Sequence, residues 1–490
     1  TKKNKIMNRR QFIKHSGVAA TAILGGSMGT AHSAPKSENA DSNGVKNSGT
    51  SVIVAGGGIA GLSTAYELMK RGFDVTVLEA SGRAGGHVRT MHDPLPDGLY
   101  ADLGAEQCTK PGYEIYRGYA KEFGLELLPY PRRTNLLTYI ENKPYTVEML
   151  RDRKVLSGFG YNKQEVAYIS EHGIKELPGL FYKPYLDNFE DEYQPLGVGL
   201  DDLDLIGVGD LLKREKASAR ALRDFGSGRA SALQTLWNAA ILKHRKVPLF
   251  PTEVFRIKGG NQLMIDALAK RLGNRIRLGS PVTKIEHSNT GVNIHFEEFG
   301  NQQSLAADYL VNAIPTAMLL RVKIEPALSA EKTWVLQNTT YDFQSRVVFQ
   351  TRTPFWKREG HSPNMGCKRS HLHMVWEMAE EVEGDRSILI GAASAGTTAE
   401  QALAVYRQRY PGKNIEIEKT MVHTWAKDKW TPYCERQVFG LNRLKKFWPE
   451  IIRPHGRIHF SGAYADNLSW GQEAATRSAN RVAREIDEAS

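Results

Sequence analysis

The stretch from Ser51 to Thr90, SVIVAGGGIAGLSTAYELMKRGFDVTVLEASGRAGGHVRT, limits the folds open to this chain more than any other. Ser51 to Ala55 is a short apolar, β-branched run of the kind that forms a buried strand. It enters Gly56-Gly57-Gly58-Ile59-Ala60-Gly61, and Ile59 to Lys70 reads as a helix stopped by Gly72. Val75 to Leu78 is a second strand, ended by Glu79. In such a unit Gly56 permits the tight turn, Gly58 lets a pyrophosphate approach the backbone, and Gly61 lets helix and strand pack closely. The helix N-terminus, at Ile59 and Ala60, offers free N–H groups and partial positive charge to the phosphates. Glu79 lies 18 residues past Gly61, near the spacing of a carboxylate that accepts ribose hydroxyls. A carboxylate there repels a 2′-phosphate, which disfavours NADP.

The continuation selects the dinucleotide. Glu79-Ala80-Ser81-Gly82-Arg83-Ala84-Gly85-Gly86-His87-Val88-Arg89-Thr90 resembles the second cofactor motif of the flavin amine oxidase family, E-A-x-x-R-x-G-G-R-x-x-T. That family includes monoamine, polyamine and L-amino acid oxidases, and in it the segment contacts the FAD pyrophosphate. Arg83, Gly85, Gly86 and Thr90 match, whereas His87 replaces the usual arginine. The resemblance therefore implies FAD, with one phosphate contact weakened unless Arg89 compensates.

Further family segments follow in order. Asp97 to Ala105 resembles the strand that runs beneath the flavin, which places Gly104 and Ala105 at the cofactor. In L-amino acid oxidases a G-x-x-R pattern then supplies an arginine that clamps the substrate carboxylate. Here it reads Gly104-Ala105-Glu106-Gln107, and Gln107 cannot make a charged bidentate pair. Glu106 is either an attractor of an ammonium group or a solvated or ion-paired acid. Arg256 to Leu272, Ile276 to Ile285 and Ala307 to Pro315 resemble the family's G-G-x-x-x-L helix, its s-P-V-x-x-I strand, where Val282 meets the adenine, and its A-D-x-V-I-x-A-x-P crossover. Ser345 to Phe349 resembles a strand whose lysine, here Arg346, holds a water near flavin N5. Arginine cannot be neutralised, so in the site Arg346 either holds that water less well or replaces the lost carboxylate clamp, with an ordinary surface charge as the alternative.

Trp425 to Cys434 resembles the stretch beside the isoalloxazine. Mammalian monoamine oxidases carry the flavin on a cysteine at the position of Cys434; a small buried filler is the plainer reading. Gly456 to Tyr464 resembles g-R-I-x-F-A-G-E-x, with Gly462 matching and Ala463 lacking the glutamate expected at the ribityl chain. Trp470, Gly471, Gln472 and Ala474 open the last helix, and its N-terminus favours negative charge near the flavin pyrimidine. Trp470 is a candidate aromatic wall of the substrate site, with core packing as the alternative.

Composition excludes several classes. Hydrophobic content of 41% and charged content of 24% are ordinary for a globular protein, and no run reaches 18 apolar residues, so a transmembrane helix is not expected. Lys2, Lys3, Lys5, Arg9, Arg10 and Lys14 form a basic, acid-free start, and Asn8 to Lys14 resembles the twin-arginine export signal. Subtracting those six charges from the formal +11 leaves +5. No dense basic run remains, so nucleic acid is not an expected partner. Cys108, Cys367 and Cys434 are too far apart for a metal pattern or disulfide framework, so no metal is expected.

These readings predict an α/β, two-domain flavoprotein with a Rossmann-type FAD-binding domain and a mixed sheet-plus-helices substrate domain. Segment 1–33 is the signal and 34–50 a linker. FAD-binding parts occupy 51–112, 253–327 and 450–490, and substrate-domain parts 113–252 and 328–449. Candidate catalytic-site residues are Arg346, Trp470 and Gln107. The family resemblance implies oxidative deamination of an amino acid or primary amine: hydride transfer to flavin N5, then hydrolysis to a carbonyl compound and ammonia, with molecular oxygen giving hydrogen peroxide. A dehydrogenase feeding a quinone or cytochrome, and a non-catalytic exported flavoprotein, stay open because of His87, Gln107, Arg346 and Ala463. The expected location is periplasmic or secreted, and a homodimer is an open assembly state.

Overall fold

The computed structural model describes residues 49–366, 371–468 and 470–490. The export-like segment 1–33 and all but the end of the 34–50 linker lie outside the described residues, as does Cys367.

β1 (Ser51–Ala55), α1 (Ile59–Lys70) and β2 (Asp74–Leu78) form where the apolar runs and the glycine turn place them. β3 (Ile276–Arg277), β4 (Tyr309–Asn312) and β5 (Ile458–Phe460) come from distant segments and complete a parallel sheet of order β3-β2-β1-β4-β5. A parallel sheet is covered on both faces, and β1 shows it: Val52 and Val54 join one apolar cluster, and Ile53 and Ala55 join another. The first cluster includes Leu62 and Leu68 of α1, Ile265 and Leu268, and Val482 and Ile486 of α2 (Gly471–Ala489).

A second, seven-stranded sheet carries, in order, Ile417–Thr424, Gln344–Thr351, Ser387–Ser394, Leu372–Met378, Asn364–Gly366, Leu136–Ile140 and Lys143–Tyr145. It is mixed, because Asn364–Gly366 pairs parallel with Leu136–Ile140 while its other pairs are antiparallel. Short helices between residues 153 and 244 bury Leu211, Leu236 and Trp237 against the first sheet's other face. This is the Rossmann-type domain with a mixed-sheet partner.

Two elements differ from the sequence reading. Ile276–Ile285 is two strands: Ile276–Arg277 belongs to the parallel sheet, and Val282–His287 to a separate four-stranded sheet. Gly279, at φ +64°, turns the chain between them. Ala217–Leu242, whose Ala, Leu and Arg residues recur at helical spacing and read as one continuous helix, is instead two helices, Ala219–Phe225 and Ala232–His244. Ser231 caps the second helix by accepting from the Gln234 N–H at 3.2 Å.

Candidate active site

One long cavity of about 700 Å³ runs from the carboxyl ends of the parallel strands to the seven-stranded sheet. At the first end, Gly56 has φ +110°, and a Cβ there would lie 2.6 Å from the Ala313 carbonyl oxygen. A Cβ on Gly61 would stand 1.9 Å from the Gly56 oxygen, so only glycine lets α1 close onto the turn. Gly58 is different: nothing lies within 4 Å of its Cβ position, and the residue borders the cavity. Ile59, Ala60, Glu79, Ala80 and Val282 line the same end. Glu79 is buried, and its carboxylate accepts N–H groups from Gly57 at 2.6 Å and Ser81 at 2.8 Å. Each oxygen keeps a lone pair for a further donor.

The middle is walled by Gly85, Gly86, His87, Val88, Gly462, Ala463, Gly471 and Gln472. Arg83 does not reach the cavity; its guanidinium donates to the Gly86 carbonyl at 2.7 Å and the Val88 carbonyl at 3.1 Å, and so holds the loop in shape. His87 contacts the Thr431 carbonyl through Nε2 at 2.9 Å and meets the Trp425 ring edge-on at 4.9 Å. That acceptor places the ring proton on Nε2. Burial pushes the His87 pKa down, so the imidazole is neutral and brings no charge to the place of the family's arginine.

Arg89 does not compensate. It opens on a second cavity of about 300 Å³, together with His92, Val348 and His423. Gly61 and Ala474 are buried beneath the lining rather than in it. On α2 the cavity meets Gly471, Gln472 and Ala475, while Ala474 turns into the core.

The far end belongs to the seven-stranded sheet and its neighbours. Gly104, Ala105, Arg346 and Trp425 line it with Asp342, Gln344, Cys434 and Glu435. Arg346 donates from Nη2 to the Gly104 carbonyl at 3.1 Å and lies 3.7 Å from Glu106 Oε1. Glu106 is 5% exposed, forms an ion pair with Arg132, and accepts from Trp376 Nε1 at 3.0 Å. It is therefore an ion-paired acid. One carboxylate faces two guanidinium groups, so Arg346 has no ion-pair partner of its own on the cavity wall.

Two of the three candidate catalytic-site residues lie elsewhere. Gln107 is not in the lining; its backbone carbonyl accepts from Gln472 Nε2 at 3.3 Å, and its side-chain oxygen is buried. Trp470 stacks on Tyr113 at 5.5 Å and packs against Gly112, on the side of the helix start away from the cavity lining. Cys434 is not a filler, since its thiol opens on the cavity, and the surrounding protein pushes its pKa up to about 11. Asp342 and Glu435 were not anticipated. Antiparallel pairing of Thr340–Asp342 with Cys434–Arg436 brings them together, and no local motif announces it.

Comparison with known proteins identifies the family. Residues 59–487 match the family described as flavin containing amine oxidoreductase. The chain belongs to this family. It is 26% identical over 470 residues to an L-amino-acid oxidase of Siganus canaliculatus, covering 90% of this chain and 86% of that one. An L-amino-acid oxidase of Demansia vestigiata is 24% identical over 462 residues, covering 90% and 87%. Among solved structures, a putrescine oxidase bound to putrescine superposes with a TM-score of 0.74 at 22% identity, covering 90% of this chain and 99% of its own. Cyclohexylamine oxidase from Brevibacterium oxydans gives 0.73 at 19% identity, with the same coverage. At these identities the two structures establish the shared fold.

Family membership makes the chain an FAD-dependent amine or amino acid oxidoreductase acting by oxidative deamination. The cavity fits FAD: an open glycine cradle at Gly58, a helix start for the pyrophosphate, a buried ribose-facing carboxylate, and space continuing to Trp425. Among the described residues no group of His, Cys, Asp and Glu side chains has the geometry to hold a metal, and no helix is long and apolar enough to cross a membrane.

Proposed function

We propose that the protein oxidises an amino acid whose carboxylate is taken by Arg346, passing the electrons to molecular oxygen. The observation that carries this reading is a guanidinium on the cavity wall whose one ion-pair partner, Glu106, is shared with Arg132, and which the Gly104 carbonyl holds in place. A planar fork already held by one hydrogen bond and one ion pair loses little entropy on pairing with a carboxylate. Glu79, the amides at the start of α1, Gly462 and Gly471 would hold FAD. When bound, FAD supplies the hydride acceptor for the carbon that bears the amine. Arg346 orients the donor, the apolar wall of Pro315, Met318 and Val322 excludes water, and Trp425 closes the side next to His87. With oxygen as the final two-electron acceptor the products would be a 2-oxo acid, ammonia and hydrogen peroxide.

A second reading, oxidation of an amine without a carboxylate, is favoured by Glu435 and Asp342 on the same cavity. Peroxide release from a panel of L-amino acids and the matching decarboxylated amines decides between them. The first reading expects amino acids to be oxidised and Arg346→Met to lose at least tenfold in kcat/KM. Amine turnover indifferent to Arg346→Met would overturn it. The basic, acid-free start of the chain supports twin-arginine export to the periplasm; a reporter fused after residue 50 should be exported, and Arg9→Lys with Arg10→Lys should retain it in the cytoplasm.

A further inference from the structure

Glu435 is a carboxylate on the cavity wall without a cation. Its Oε1 accepts the Thr316 backbone N–H, and no Lys, Arg or His pairs with it among the described residues. Its surroundings are otherwise poor in charge compensation. Tyr341 is committed to Thr316 Oγ1 at 2.8 Å, and Tyr464 accepts from Asn312 Nδ2 at 3.2 Å. The other cavity charges are occupied or peripheral. Asp342 lies 3.6 Å from Arg436 and accepts from Gln344 at 3.0 Å, Lys429 stands over the Trp430 ring at 4.4 Å, and Arg321 is exposed at the rim. The second carboxylate oxygen makes no hydrogen bond among the described residues and faces the cavity, where a donor from a bound molecule can reach it.

Its place along the chain bounds its distance from Arg346. Glu435 is in register with Tyr341, five residues before Arg346 on a largely extended run. Five residues span at most about 17 Å, and both side chains line the same cavity. The two groups form no ion pair with each other, and a separation up to that bound admits an amino acid whose side chain carries several methylenes before its charge. Met318 and Val322 supply an apolar wall for such a chain on the same cavity.

We propose that Glu435 binds a distal cationic nitrogen, so that the substrate is an amino acid with a cationic side chain, its carboxylate on Arg346 and its side-chain ammonium on Glu435. This rests on the amino acid reading above. Desolvation pushes the Glu435 pKa up to about 7 in the absence of such a cation, and an ammonium ion in contact lowers it again.

The test compares L-lysine with L-norleucine, which has the same chain length without the charge, in anaerobic single-turnover reduction of the FAD-loaded protein. The wild type should reduce at least tenfold more efficiently with L-lysine. Glu435→Gln, which keeps the acceptor for Thr316, should lose at least tenfold in the L-lysine to L-norleucine ratio. Calorimetry of L-lysine binding to the apoprotein gives a readout free of turnover and should show the same loss. Equal rates with both amino acids, or a lysine preference that survives Glu435→Gln, would overturn the proposal while leaving the amino acid reading intact. Reduction by neither would overturn both.

Discussion

Two glycines three residues apart should respond to the same substitution in opposite ways. At Gly58 the backbone sits at φ −73°, ψ 176°, where alanine is at ease, and an added Cβ meets nothing within 4 Å. Gly58→Ala should therefore leave the apoprotein as stable as the wild type or more so, by about 0.4–1 kcal/mol from reduced freedom of the unfolded chain. The new methyl projects into the cavity where the pyrophosphate must approach, so FAD affinity should fall at least about tenfold, or about 1.4 kcal/mol. Gly61→Ala puts a Cβ 1.9 Å from the Gly56 carbonyl oxygen and 3.2 Å from the Ala313 Cβ. Relief requires moving backbone on both sides, which belongs at the upper end of overpacking costs, about 3 kcal/mol. Urea unfolding of the apoproteins and FAD titration by quenching of flavin fluorescence separate the two effects. Unimpaired FAD binding by Gly58→Ala, or wild-type stability in Gly61→Ala, would refute the assignment of this turn.

Three further outcomes are expected. Because Glu435 holds its proton to about pH 7 in the folded apoprotein against 4.5 as its ordinary value, the native state binds more protons across that window. Its contribution therefore erodes stability as pH rises from about 4.5 to about 7; Glu435→Gln should recover on the order of 2 kcal/mol at pH 8 and nothing at pH 4, by urea unfolding. Lys332 is fully buried, and its ammonium donates to the Glu450 and Arg453 carbonyls with the Glu450 carboxylate 3.6 Å away; Lys332→Met should cost about 3 kcal/mol in the same assay. Trp470→Phe should cost about 1–2 kcal/mol through lost packing on Tyr113 and Gly112 while changing the rate of flavin reduction less than twofold. A large rate loss without a stability change would return Trp470 to the substrate wall.

The dinucleotide half was legible because its signals are local. Ser51–Ala55 and Ile59–Lys70 take the bounds their patterns suggest, since turn, helix start and strand end are encoded within a few neighbouring residues. The substrate end was not, since its residues meet only through long-range pairing. Glu435 reaches the cavity because residues 434–436 pair with 340–342, and nothing near it in sequence carries that register. Arg89 and Trp470 were placed by motif position, yet which side of the chain each faces depends on packing: one opens on the second cavity, the other is drawn onto Tyr113. The apparent strand Ile276–Ile285 failed for a simpler reason, because Gly279-Ser280-Pro281 carries the turn signal within an otherwise β-rich run.

The most direct test of FAD-dependent amine oxidation is an anaerobic titration of the purified, FAD-loaded protein with L-amino acids, primary amines and diamines, following the flavin absorbance band. Bleaching by amino acids, with Arg346→Met raising the concentration needed at least tenfold, is the result predicted here. A flavin band that none of these donors bleaches would contradict the account.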